Sequence, residues 1–465
     1  MPGVPDTGDT AWMMTATALV LLMTPGLALF YGGMVRSKSV LNMMMMCFGS
    51  IGLVGVLWVL YGYSMTFGTS VGDAGLVGDP TQFAGLSELT PGTYLADAEA
   101  GTEVAVPLVG TIPSLVFVGF QATFAIITVA LISGAVADRM KFGSWLVFAG
   151  VWVSLVYFPV AHWVFAFDDV TAGTGGWIAN DLAAIDFAGG TAVHINAGVA
   201  ALVLAVVLGK RRGWPREPMR PHNLTLVMLG AALLWFGWFG FNAGSAVGSG
   251  AISAFAFLNT IVATAAAMIA WLLVERFRDG HPTSLGAASG VVAGLVAITP
   301  ACSSVSPVGA IAVGAVAGVL CALAVGLKFR FGFDDSLDVV GVHLVGGLVG
   351  TLLVGFLATA DSPAGVAGVF YGGGFDQLWR QAVGAVAVLV YSGVVTAIIA
   401  YALKFTLGLR VSDEDEVTGI DETEHAETGY DFSSLHGGGG LGTSRPAPDV
   451  STQSARDHAT AGTES

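Results

Sequence analysis

The chain is predicted to be an all-α polytopic membrane protein of eleven transmembrane helices, and three observations carry that prediction. Of its 465 residues, 54% are hydrophobic and only 11% charged, and the mean hydropathy is +0.75, far above soluble averages. The apolar residues fall in windows of about 20, the length that crosses a hydrocarbon core of about 30 Å. Two of those windows carry a histidine, in stretches that repeat one pattern about 150 residues apart, as an inverted-repeat transporter would: DFAGGTAVHINAG at 186–198 and DDSLDVVGVHLVGG at 334–347.

In chain order the expected spans are 11–33, 40–66, 108–133, 144–165, 187–208, 223–247, 255–274, 285–299, 307–327, 339–359 and 381–404. The first is expected to be a span and not a cleavable signal, because acidic Asp6 and Asp9 precede it and its apolar run is long for a signal core. No charge lies between His222 and Glu275, so two helices share that tract and part at Gly248-Ser249-Gly250. The uncharged tract before Lys328 parts at residues 299–307, where Pro300 and Pro307 mark the turn. Gly is abundant, with 65 residues, and small residues let membrane helices approach closely.

Lys and Arg orient the chain. One set of loops holds Arg36, Lys38, Arg139, Lys141, Lys210, Arg211, Arg212, Arg216, Arg220, Arg276, Arg278, Lys328, Arg330, Lys404 and Arg410, whereas the opposite set holds only Arg380. The N-terminus is therefore expected outside and the C-terminus inside. The formal net charge of −15 comes from acids in loops and tail, which excludes a nucleic-acid partner. Acidic loops at 73–103 and 168–181 lie on the outer side. Beyond Arg410 the composition turns polar, and three segments follow: a transmembrane domain at 1–410, an ordered cytosolic segment at 411–435 and a disordered acidic tail at 436–465.

Cys47, Cys302 and Cys321 lie in apolar surroundings without metal-ligand spacing, and read as packing residues. The histidines read differently, because a titratable group inside lipid is costly and marks function. His194 lies eight residues beyond Asp186, and His343 eight beyond Asp335, about 12 Å of helix in each case. Entering from opposite faces, both imidazoles come near the midplane with roughly 6 Å of axial offset. Paired there, they can share a proton and exchange hydrogen bonds with a small solute without a full buried charge. A metal site with Asp186 is the weaker reading, since the carboxylate stands too far along the helix and no third ligand joins. Asp186 heads its helix, where a carboxylate caps free N–H groups or attracts a cation.

These residues resemble the ammonium transporter (Amt/Mep/Rh) superfamily, and its Amt branch in particular. The motifs are MTPGLALFYGGM at 23–34, WVLYGYS at 58–64, the His194 stretch, GWFGFNAGS at 237–245, ITPAC at 298–302 and GVH at 341–343. The resemblance implies two inverted five-helix repeats around a pore, a peripheral eleventh helix, a homotrimer in the cell membrane, no cofactor and no enzyme activity. It implies that Phe124, Phe165, Trp238 and Ser245 recruit ammonium at the outer mouth. It likewise implies that Phe124 and Phe241 stack as a pore gate and that His194 and His343 line the pore as a proton relay, with Asp186 as structural or electrostatic support. Phe165 stands where the family usually has Trp, which predicts weaker cation attraction, and Leu344 follows the second histidine where Gly is frequent. The stretch GIDETEHAETGY at 419–430 resembles the cytosolic motif near which PII-type signalling proteins dock, so a sensor reporting to such a partner is the alternative function. Rh-type gas conduction and an intramembrane metalloenzyme stand further off.

Overall fold

The structure is a computed structural model and describes residues 2–90 and 105–430; the expected disordered tail at 436–465, the end of the 411–435 segment and part of the acidic 73–103 loop lie outside the described residues. Among the described residues, ten helices are long and apolar enough to cross a membrane. They are α1 (Thr7–Met34), α2 (Val40–Phe67), α3 (Ser114–Val136), α4 (Phe142–Phe165), α5 (Gly190–Leu208), α6 (Leu224–Gly244), α7 (Ala251–Arg278), α9 (Pro307–Phe331), α10 (Val340–Leu357) and α11 (Asp376–Thr406). The span expected at 285–299 is the shorter apolar helix α8, Ser284–Ile298. Its 15 residues rise about 22 Å, less than a hydrocarbon core of about 30 Å.

The limits of α8 have local causes. At its start the Thr283 hydroxyl accepts from Gly286 N at 2.8 Å, while buried Glu275 accepts from Thr283 N at 2.7 Å. This fixes the α7–α8 turn and caps the helix. At its end, Thr299 precedes Pro300, which disfavours helical backbone before it and cannot donate an N–H. The membrane-spanning body is all-α, as expected, and a small sheet stands beside it. Strands Pro2–Gly3, Val106–Val109 and Ile112–Pro113 form a three-stranded antiparallel sheet in the order β1-β2-β3, where the loop before α3 turns back on the N-terminus.

Helix α1 packs along α6, α7 against α8 and α9, α3 against α5, and α11 against α5 and α10. Glycine sets the closest of these approaches. A Cβ on Gly230 of α6 would stand 2.3 Å from Phe30 N of α1, so any other residue would force the two helices apart.

At the end of the bundle rich in Lys and Arg, buried ion pairs fasten the loops. Arg211 pairs with Asp334 at 2.8 Å and with Asp138 at 3.1 Å. Burial raises both carboxyls, but the neighbouring guanidiniums, Arg211 above all, outweigh it and hold them below the usual carboxylate range. Two short helices follow, α12 (Asp413–Thr418) and α13 (Ile420–His425). Buried Glu416 accepts from Arg410 at 2.5 Å and from Arg212 N at 2.7 Å. Asp421 accepts from Leu41 N at 3.0 Å and Asn42 N at 2.8 Å, and so caps α2, whose own N-cap Ser39 makes no side-chain cap bond.

Candidate functional site

Between the ends of α3, α4 and α6 and the loop before α5, two neighbouring cavities of about 260 and 410 Å³ open; both are lined by Phe165, Phe167, Phe187 and Ser245. Phe124 and Gln121 line the first, and Asp186 the second. Ser245 donates its hydroxyl to Phe241 O at 2.8 Å, which leaves its oxygen free to accept. Trp163 does not reach this mouth: its indole donates to Leu76 O at 2.7 Å and packs on Trp177 and Tyr391.

Directly beneath, Phe124 and Phe241 stack with centroids 4.1 Å apart and planes inclined by 20°, and both are buried. Phe165 meets Phe124 edge-on at 6.5 Å. Beyond the stack the path narrows to a gap of about 10 Å³ bounded by Phe241, Trp238, His194 and His343 among aliphatic side chains, roughly the smallest space that admits one water-sized molecule.

Trp238 lines this inner gap, whereas Phe165 and Ser245, with which the sequence grouped it, line the two cavities above. Trp238, Phe241 and Ser245 share one face of α6, but seven residues of helix separate the first from the last by about 10 Å. The indole lies parallel to His194, with centroids 5.5 Å apart. A buried polar chain holds it there: Trp238 donates to Thr299 Oγ1 at 2.9 Å, Thr299 donates to Leu295 O at 2.8 Å, and Asn242 donates to Thr260 Oγ1 at 2.9 Å.

The two imidazoles meet. His194 Nδ1 lies 3.3 Å from His343 Nδ1, and the residues are 1% and 3% exposed. With both rings neutral, one Nδ1 carries the shared proton and the other accepts it. The pair then offers one Nε2 acceptor and one Nε2–H donor. His194 Nε2 has no protein partner among the described residues. Close backbone approach brings the rings together: a Cβ on Gly347 would lie 3.0 Å from His194 Cβ, and one on Gly198 2.5 Å from Leu344 N. Leu344, the departure noted after the second histidine, thus fits against a glycine.

Each histidine sits in a single π-helical turn, His194 within Gly190–Ile195 and His343 within Val340–Leu344. No spacing in the sequence signals these turns, which recur at functional sites. Each is preceded by a capping carboxylate. Asp186 accepts from Gly189 N and Gly190 N at 2.8 and 2.6 Å, from Thr191 N and Ala192 N at 2.7 and 3.3 Å, and from the Thr191 hydroxyl. Asp335 accepts from Val339 N at 3.1 Å and Val340 N at 2.7 Å. Burial, reinforced by Asp338 and opposed by Lys328, pushes the Asp335 carboxyl up to about 6. Phe167, Phe187 and Gln121 were not singled out in the sequence, because loop and helix-end residues carry no periodic signal toward a cavity.

The described residues contain no group of three or more His, Cys, Asp or Glu that could hold a metal ion, and the three cysteines are buried as free thiols. The arrangement offers sorting by size, aromatic attraction and hydrogen bonding, along a line from open vestibule to phenyl stack to imidazole pair.

The same order of elements occurs in known proteins. The Ammonium Transporter Family profile matches residues 11–430. An ammonium transporter of Mycobacterium tuberculosis is 68% identical over 444 residues, 94% of this chain and 92% of that protein; one from Bacillus subtilis is 46% identical over 92% of this chain and 99% of its own length. The crystal structure of Candida albicans Mep2 superposes with a TM-score of 0.76 at 32% identity, covering 88% of this chain and 87% of that one. A "Sensor Amt Protein" superposes at 0.79 with 27% identity, covering 90% and 98%. Sequence, fold and the polytopic helical body agree, and the chain belongs to the Ammonium Transporter Family.

Proposed function

We propose that the protein conducts ammonium across the cell membrane as a channel-like transporter, taking the cation at the outer vestibule and passing it largely as ammonia along the histidine pair. The observation that carries this reading is the succession of vestibule, stacked Phe124 and Phe241, and touching His194 and His343. Phe165, Phe124 and Ser245 recruit the cation through ring faces and a hydroxyl oxygen, each ring contributing about 0.5–2 kcal/mol. An intact ammonium ion in the 10 Å³ gap would lack both water and a counter-charge, at a cost of several kcal/mol or more. Giving a proton to vestibule water before the gap removes that penalty; the imidazoles then serve neutral ammonia as donor and acceptor, and the pair relays the released proton through its Nε2 positions and the shared Nδ1 proton. Asp186 holds the first π turn in place and adds negative potential below the vestibule.

Eleven crossings, with α8 as a short one, place the two termini on opposite sides, and the concentration of Lys and Arg at the α12–α13 end puts that end in the cytosol. Helices α1–α5 and α6–α10 then form inverted halves, α11 runs along the outside, and three copies assemble, each with its own pore. Residues 1–410 form the transporting domain and 411–435 a cytosolic segment.

The test is to measure current and ammonium uptake side by side in proteoliposomes for wild type and His194→Ala. The expected result is a larger change in charge movement than in solute entry. Unchanged values of both would overturn the histidine route.

A second reading, a sensor reporting pore state to a PII-type protein, is favoured by the clasp of α12 and α13 on the start of α2 and by similarity to the "Sensor Amt Protein". It requires ammonium-dependent binding of such a partner to the purified transporter, and ammonium-independent binding would refute it.

A further inference from the structure

The residues lining the two cavities and the inner gap all come from elements other than α11, yet α11 carries a carboxamide that reaches both histidine-bearing helices. Gln381 is 1% exposed. An amide buried in a membrane-spanning helix is costly unless its groups are bonded, and here all four positions are used. Its Oε1 accepts from Ile185 N at 2.6 Å and from Gln377 Nε2 at 3.0 Å. Its Nε2 donates to Ile185 O at 2.6 Å and to Thr351 O at 3.1 Å.

The places these bonds reach set Gln381 apart from an ordinary link between helices. Ile185 lies in non-helical chain directly before Asp186, where no helix satisfies its peptide groups, and the amide pairs with both its N–H and its C=O. Thr351 lies on α10, eight residues beyond His343 or about 12 Å of rise. Its hydroxyl oxygen would stand 2.8 Å from a Cβ on Gly190, the residue that opens the π turn bearing His194. One side chain therefore joins the approach to α5 to the body of α10 where the two meet. About three turns further along α11, Ser392 donates to Asn196 O at 3.1 Å, so α11 holds α5 on both sides of His194. By contrast, Thr396 of α11 accepts from Trp152 Nε1 of α4 at 2.9 Å, a link between side chains away from the pore.

We propose that Gln381 is a positioning residue for the pore: by fixing the backbone at Ile185 and Thr351 it holds Asp186 and the π turn of α5 against α10, and so keeps His194 in contact with His343. Its consequence for transport rests on the relay reading given above; its effect on the imidazole contact does not.

The experiment is solid-state NMR of the full-length protein with 15N-labelled histidine in lipid bilayers, reading the correlation between the two Nδ1 atoms across their shared proton, with His194→Ala and His343→Ala to assign it. Current and ammonium uptake are measured on the same preparations. Gln381→Met keeps the length of the side chain and removes its hydrogen bonds. It is expected to lose the correlation and to shift the current-to-uptake ratio in the direction of His194→Ala. Gln381→Asn, a methylene too short to hold Ile185 at both points, carries the same expectation should the Met variant not fold. Thr396→Val is the control for a loosened α11 and should keep both the correlation and the wild-type ratio. A correlation retained in a folded Gln381 variant would overturn the proposal and leave the amide as packing, and so would its loss in Thr396→Val. If His194→Ala leaves the ratio unaltered, the relay reading falls, and the correlation alone then decides the role of Gln381.

Discussion

Replacing Asp186 with Asn tests how the first histidine is held. The carboxylate accepts four backbone N–H groups and the Thr191 hydroxyl, divided between its two oxygens. A carboxamide has one oxygen. Whichever way it turns, its NH2 faces two backbone donors that lose their acceptor. Each orphaned buried donor costs about 1–3 kcal/mol. Asp186 borders the 410 Å³ outer cavity, so solvent offsets part of the loss, and about 2–4 kcal/mol is expected in total. That is enough to undo the π turn over Gly190–Ile195 and release His194 from its 3.3 Å contact. The assay is thermal denaturation of the purified protein in detergent, together with uptake per folded molecule in proteoliposomes. Both should fall for Asp186→Asn and fall further for Asp186→Ala. An Asn variant with the wild-type midpoint and wild-type uptake would refute both the cap and the dependence of His194 on it.

Phe165→Trp puts a stronger cation partner against both outer cavities, so the apparent KM for ammonium uptake should fall about twofold to fivefold, equivalent to about 0.5–1 kcal/mol; an unchanged KM would remove Phe165 from recruitment. Asp335, with its carboxyl raised to about 6, is protonated in the folded chain where an ordinary aspartate is not. Its contribution is fully present below about pH 4 and is lost as pH rises through about 6, a change of roughly 3 kcal/mol at most. Thermal midpoints measured from pH 4 to 7 should therefore decline more steeply in wild type than in Asp335→Asn, and parallel curves would contradict the burial argument.

The histidine pair was legible because lipid makes a buried imidazole expensive and because equal spacing from Asp186 and Asp335 put both near the midplane, with roughly 6 Å of axial offset. Phe124 and Phe241 were legible only through family resemblance, since a phenyl ring in an apolar helix gives no sign of stacking on another. The depth of Trp238 was not legible: a helical face follows from spacing, but its level along the pore depends on how α6 slides against α1 and α8. The length of α8 was legible, since the expected span at 285–299 and the helix Ser284–Ile298 both have 15 residues, and Glu275 and Pro300 supply the physical reason for its limits. The polar links from Asp421 to α2 and from Glu416 to Arg410 join residues far apart in the chain, and no local pattern announces them.

The π turns explain why two helices of ordinary composition can present imidazoles to one another. In a regular helix each N–H is committed four residues back and the side chains form a continuous surface. At His194 the N–H instead reaches Gly189 O, five residues back, at 3.0 Å, which widens the turn. A widened turn is unfavourable alone, and a helix that begins in buried surroundings leaves its first N–H groups without partners. Asp186 answers that second difficulty at the point where the first arises, and Asp335 does so for α10. Gly198 and Gly347 then allow the two helices to close until the rings touch. The carboxylates, the π turns and the glycines thus act as one construction repeated in two halves of the chain. A change in any of its three parts should reach the pore through the position of an imidazole, even where the altered residue touches no solute.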